Sequence, residues 1–203
     1  LGVSSHQLDA GERGFSYRFD ATLDMRMNRQ AGTSAADILN SYTEQELQKI
    51  FSLYGEVRNA KTLAQAIVQK RTVTPFVRIS ELTGLLDTLV KGNRMRYFSQ
   101  VFQALRIEVN QEMEALEDFL TQSLQVLKTG GRLVIITYHS LEDRLVKNFL
   151  KTGNVKGEIE QDFFGNISRP FRVLTRKPVL PTEAEITENP RARSAKLRVA
   201  EKI

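Results

Sequence analysis

Three neighbouring side chains, Tyr138, His139 and Ser140, bring together a phenol ring, an imidazole and a hydroxyl. Their surroundings give them a place in a fold. Gly130 and Gly131 suit the end of a helix, because glycine enters left-handed backbone geometry at little cost. Leu133 to Ile136 are continuously apolar and mostly β-branched, which predicts a strand buried on both faces, as in a parallel sheet of an α/β protein. Ser140 suits the cap of a following helix, with Asp143 as its capping-box partner and Leu141, Leu145, Val146 and Phe149 on its apolar face. The trio thus falls where a strand ends and a helix begins, the place at which open α/β sheets bind ligands. The same spacing is met equally by a serine that only caps and a histidine that only sits in a loop.

Other candidates are cationic. Arg13-Gly14-Phe15-Ser16-Tyr17-Arg18-Phe19 interleaves aromatics with arginines, and Arg26 follows. Such a pattern can stack on bases and pair with phosphates, or pack the loop against its own domain, and packing is the commoner outcome. Arg94 and Arg96, in a basic connector, are candidate phosphate contacts. Arg191 and Arg193 suit RNA contact or plain solvation alike.

Composition narrows the classes. The 203 residues include no cysteine, so disulfides, thiolate metal sites and cysteine nucleophiles are excluded. With two histidines besides, no metal is expected. A net charge of +5 is compatible with a polyanionic partner without demonstrating one. No apolar run is long enough to span a bilayer, no leader is visible, and a cytoplasmic location is expected. The chain starts without Met, in what reads as mid-loop, and a missing N-terminal part is expected.

The elements that must position these residues fall into three stretches. Residues 1–29 read as loop. Residues 30–97 read as a run of short helices: a capping box at Thr43–Glu46 opens one, Leu63, Ala64, Ile67 and Val68 mark a second, and Ser80 opens a third. In residues 98–203, three-to-four spacing from Phe98 to Leu127 predicts one long helix, or two with a kink near Asn110. A loop over 151–170 with Gly153, Gly157, Gly165 and Pro170 precedes strands at Phe171–Thr175 and Ala195–Ala200. In the second strand Leu197 and Val199 alternate with Lys196 and Arg198, as on a half-exposed sheet.

Seven stretches in order resemble one family, the bacterial S-adenosylmethionine-dependent methyltransferases known as RsmH or MraW, which modify the N4 amine of a cytosine in small-subunit ribosomal RNA. They are Leu1–Asp9 (LGVSSHQLD), Arg13–Ser16 (RGFS), Leu23–Met27 (LDMRM), Phe102–Ile107 (FQALRI), Gly130–Leu133 (GGRL), His139–Asp143 (HSLED) and Asn189–Arg198 (NPRARSAKLR). They cover the chain nearly end to end. His6, where the family usually has proline, Gly55-Glu56-Val57 and Asn93-Arg94-Met95-Arg96 depart from its pattern.

The resemblance implies an α/β fold: the C-terminal part of a Rossmann-like class I methyltransferase sheet carrying a helical insertion subdomain. It implies S-adenosylmethionine as cofactor, 16S ribosomal RNA or the small ribosomal subunit as partner, and a cytosine amine as methyl acceptor. The family's glycine-rich cofactor loop, its ribose-binding acid and the aspartate ahead of Leu-Gly-Val-Ser-Ser would lie before Leu1. The chain alone is therefore expected to be inactive and to bind the cofactor weakly. Sheet strands missing there would leave an edge and an apolar face uncovered, to be met by the missing segment, a second copy in a homodimer, or aggregation. Carried over, Gln7 is the cofactor contact, Ser4, Ser5 and His139 are the candidate catalytic residues, and Arg13, Arg26, Arg94, Arg96, Tyr138 and Ser140 are the candidate RNA contacts. A non-catalytic RNA-binding or assembly module is the alternative. A nicotinamide dehydrogenase is disfavoured, since a Rossmann-type core does not decide function and no dehydrogenase motif is present.

Overall fold

A computed structural model describes residues 2–30, 32–159, 161, 163–164 and 169–203. Leu1 and Gly165 of the sequence reading lie outside them. The chain divides into two compact units, Val3–Glu112 and Met113–Ile203, the second joined by Gly2.

The first unit holds α1 (Ser5–Asp9), α2 (Ala35–Ser41), α3 (Glu44–Leu53), α4 (Ala60–Val73), α5 (Ile79–Leu89) and α6 (Arg94–Val109). Reciprocal capping boxes open α2 at Ser34/Asp37 and α3 at Thr43/Glu46, satisfying backbone N–H groups that a helix start leaves over. Ser80 does not open α5. Arg78 is its N-cap, Glu81 accepts from the N–H groups of Val77 (2.6 Å) and Arg78 (2.9 Å), and Ser80 donates its own N–H to Asp20 (3.0 Å). The core joins Leu39, Phe51, Ile67, Phe76 and Phe98 from the helices to Phe15, Leu23 and Met25 from the N-terminal stretch. Tyr17 meets Phe98 and Phe102 edge-on at 5.6 and 5.5 Å. Phe15 and Tyr17 of that stretch thus pack, whereas Phe19 is 48% exposed, and residues 3–29 belong to the helical unit rather than standing apart as a loop.

Met25 has φ of 60°, unusual for a side chain of its size. Asn110 holds the turn there: its Nδ2 donates to the carbonyl of Met25 (2.8 Å) and its Oδ1 accepts from the N–H of Met27 (2.7 Å). The predicted long helix breaks at the same asparagine. Asn110 ends α6, Gln111 turns to φ of 48°, and α7 (Glu112–Val126) begins anew.

The second unit has β1 (Arg132–Thr137), α8 (Ser140–Thr152), β2 (Phe171–Val173), α9 (Glu183–Glu188) and β3 (Lys196–Lys202), besides α7. The strands lie in the order β1-β3-β2, both pairs antiparallel, with Ile135 opposite Arg198 and Leu133 opposite Ala200. Lys202 ties the sheet to the end of α7, its Nζ donating to the carbonyls of Leu124 (2.5 Å) and Leu127 (2.7 Å), where a cation suits the helix dipole.

Two sequence expectations change here. β1 is not buried on both faces: Leu133, Ile135 and Thr137 are buried, whereas Val134 is 56% and Ile136 41% exposed. Among the described residues β1 pairs on one edge, antiparallel to β3, and α8 packs on this sheet through Leu141, Val146, Phe149 and Leu150. In β3 the alternation runs opposite to the charge pattern. Arg198, 6% exposed, sits on the buried side with Ala200, while Leu197 and Val199 are half-buried on the other. Arg198 can point inward because a carboxylate on α8 meets it, as described next.

Candidate active site

The corner between β1 and α8 is built by the end of a strand and the start of a helix. Tyr138 leaves β1 with its side chain 44% exposed. His139, not Ser140, is the N-cap of α8, and Glu142, not Asp143, closes the capping box. The imidazole Nδ1 accepts from the N–H of Glu142 (3.4 Å), while the Glu142 carboxylate accepts from the N–H groups of Tyr138 (2.8 Å) and His139 (3.4 Å). Ser140 becomes the first helical residue, its side chain exposed. The shift by one residue follows from the strand, which ends at Thr137 and leaves His139 extended (φ −138°, ψ 166°), the conformation an N-cap needs.

This arrangement fixes the imidazole chemically. With Nδ1 accepting, the proton of the neutral ring sits on Nε2. Nε2 is buried and lies 3.2 Å from Glu142 Oε1, without a hydrogen bond of proper angle, so its N–H faces that carboxylate rather than solvent. Burial by itself would raise the pKa of Glu142. The neighbouring His139 imidazole, with the N–H groups of Tyr138 and His139, outweighs that and holds the carboxyl below its ordinary value.

Asp143 faces the sheet. Arg198 donates from Nε to Oδ1 (2.7 Å) and from its amino group to Oδ2 (3.0 Å), and Lys196 Nζ lies 3.5 Å from Oδ2. Burial would raise the Asp143 pKa, but Arg198 and then Lys196 bring it below the usual carboxylate range. The fork locks the start of α8 onto β3 and so steadies the corner.

The remaining sequence candidates lie in the unit Val3–Glu112. Ser4 caps α1: its hydroxyl accepts from the N–H of Gln7 (3.2 Å), and Gln7 Oε1 accepts from the N–H of Ser4 (2.8 Å). Ser5 is the first residue of that helix. Capping uses the carbonyl of Gln7 and leaves its amide nitrogen without a described hydrogen bond.

The arginines divide. Arg13 donates to the carbonyls of Arg26 (3.1 Å) and Met27 (3.0 Å) and lies over the Phe15 ring. Arg26 forks onto Asp24, at 2.6 Å from Nε. Arg94 forks onto Asp87 (2.5 and 2.9 Å) and stacks on Phe98 at 4.2 Å. All three already hold the fold together. Arg96 is exposed, and no side-chain partner of it is described. Sequence reasoning missed Glu142 as the capping partner, although its place three residues after His139 is the signal that a cap moved back by one would have given.

The molecule is thus an α/β protein with one helical unit and one sheet unit whose strand-to-helix corner presents a ring, a fixed imidazole and a buried carboxylate. The model of the MraW methylase family matches residues 1–203, and the chain belongs to that family, whose fold is that of class I methyltransferases. It is 58% identical over 203 residues to a ribosomal RNA small subunit methyltransferase H of Bacteroides thetaiotaomicron, covering all of this chain and 67% of that protein. Proteins of the same name are 55% identical in Parabacteroides distasonis and 52% identical in Flavobacterium johnsoniae, each over 204 residues, with the same 67% of the relative covered. No helix among the described residues is long and apolar enough to cross a membrane.

Proposed function

We propose that the protein to which this chain belongs transfers a methyl group from S-adenosylmethionine to the N4 amine of a cytosine in small-subunit ribosomal RNA. Membership of the MraW methylase family supports methyl transfer, and the relatives' shared name supports the RNA class. The observation that carries the cytosine reading is the β1–α8 corner, where an exposed ring and a fixed imidazole stand side by side.

The cofactor supplies an electrophilic methyl group on a sulfonium, with its leaving group built in. The chain's residues have to position the base, because the lone pair of a cytosine amine is delocalised into its ring and makes a poor nucleophile. Holding an acceptor in near-attack geometry can lower such a barrier by as much as about 7–11 kcal/mol. Tyr138 stacks on a base splayed out of the RNA. The His139 imidazole, with its proton on Nε2 turned toward Glu142, forms the side wall against which the base rests. Since that nitrogen already carries the proton and Nδ1 is held by the Glu142 N–H, His139 positions the base and does not take its proton. Gln7 keeps the cofactor role, and Ser4 and Ser5 the role of amine acceptors.

The test is methyl transfer to small ribosomal subunits by the full-length protein. His139→Ala is expected to lower the rate at least tenfold, with Tyr138→Ala raising KM. Activity of both variants within a few-fold of the unaltered protein would remove the base-pocket reading. The alternative of a non-catalytic assembly module would require subunit binding without methyl transfer in the unaltered protein.

A further inference from the structure

The unit Val3–Glu112 contains a cleft of about 610 Å³ that the reading above does not use. Its walls include Arg58, Lys91, Arg96 and Tyr97, with Asn59 and Asn93 between them. Arg58, Lys91 and Arg96 are exposed, and none has a side-chain hydrogen bond or ion pair among the described residues. Three cations therefore face one cavity with only Glu56 as an acidic lining residue. Arg94, next in sequence to the lining residue Asn93, is the contrast, neutralised by Asp87 and stacked on Phe98.

A second observation points to a ligand. Tyr97 is 7% exposed and lines the cleft, yet its hydroxyl is buried without a hydrogen-bond partner. Its polar neighbour is Asn59, whose amide donates one N–H to the carbonyl of Leu89 (3.4 Å) and keeps a second beside the hydroxyl. A buried hydroxyl left unmade is unfavourable, and its donor is available to an oxygen arriving in the cleft. The cleft floor is also the first turn of the 16-residue α6, whose N-terminal N–H groups and dipole favour an anion.

We infer that this cleft binds the phosphodiester backbone of an RNA strand, with Arg58, Lys91 and Arg96 pairing with phosphates and the Tyr97 hydroxyl donating to a phosphate or ribose oxygen. The inference rests on the RNA-methyltransferase reading and adds to it a docking point outside the methyl-transfer corner. Lone, spaced cations on a half-open wall suit a repeating backbone better than one compact anion, since each phosphate of a strand can engage its own partner.

The test is fluorescence anisotropy of a labelled single-stranded twelve-nucleotide RNA with residues 1–203, over a range of salt. Arg58→Gln, Lys91→Gln and Arg96→Gln are each expected to weaken binding three- to tenfold and together at least fiftyfold. Each removed contact should lower the slope of log affinity against log salt by about 0.7. Tyr97→Phe should weaken binding severalfold and change the melting temperature little, because the hydroxyl makes no hydrogen bond of proper geometry to the protein. Lys49→Gln, an exposed lysine on α3, controls for net charge. A triple variant that binds RNA within twofold of the unaltered chain overturns the inference. So does displacement of RNA by millimolar inorganic phosphate at fixed ionic strength, joined to equal affinity for a mononucleotide and the twelve-nucleotide strand. The methyl-transfer assay on ribosomal subunits decides the parent reading separately, so RNA binding that ignores the cleft variants counts against the cleft alone.

Discussion

Arg198 of β3 grips both carboxylate oxygens of Asp143 of α8, at 2.7 and 3.0 Å, on the buried side of the sheet. A charged pair in that setting is strongly coupled to the fold. Removing one partner leaves the other desolvated, which typically costs 3–5 kcal/mol.

Arg198→Met is therefore expected to destabilise the chain by about 3 kcal/mol, at the low end because Lys196 stays near Asp143. Denaturant unfolding followed by circular dichroism measures it. The Asp143 pKa is lowered in the folded state, so its contribution is present above the unfolded value of about 4 and is lost as pH falls through the folded value. Asp143→Asn should lower stability at pH 7 and flatten the decline below about pH 4 relative to the unaltered chain. A variant as acid-sensitive as the parent would contradict this.

Asn110 bonds both sides of the strained Met25 turn and ends α6. Asn110→Ala leaves a backbone carbonyl and an N–H without those partners, and a loss of about 2 kcal/mol follows. Hydrogen exchange should show it first at the Met27 amide. Unchanged protection there would show that the turn holds itself.

Glu142 is placed to position His139 through the cap. Glu142→Ala should lower stability by about 1 kcal/mol and methyl transfer by about ten- to a hundredfold in the full-length protein. Glu142→Gln keeps an acceptor for the Tyr138 N–H and should recover most of the rate. Equal loss in both variants would mean that the charge, not the cap, is what counts.

Val134 and Ile136 give the outer face of β1 its exposed apolar side chains, and Leu197 and Val199 stand opposite them in the ladder. An apolar strip beside a strand edge invites association. Residues 1–203 are expected to self-associate with rising concentration in light scattering. Val134→Glu with Ile136→Lys should reduce it, and a monodisperse monomer in the unaltered chain would contradict the expectation.

Much of this protein was written locally. The helix start at Thr43, the break at Asn110, the strands near Phe171 and Lys196, and the family motifs all come from spacing within a few residues, where capping, turn chemistry and side-chain period act. Tertiary structure decided what depends on distant partners. The cap moved from Ser140 to His139 because the strand ended in extended geometry at that residue. Arg198 turned inward because Asp143, fifty-five positions away in sequence, could neutralise it. Arg13, Arg26 and Arg94, which looked alike as cations, were taken up by carbonyls and carboxylates, while Arg58, Lys91 and Arg96 were left facing one cleft. A sequence displays charge, but only the packed chain determines which charges are already matched, because that depends on which opposite groups folding brings within hydrogen-bond reach.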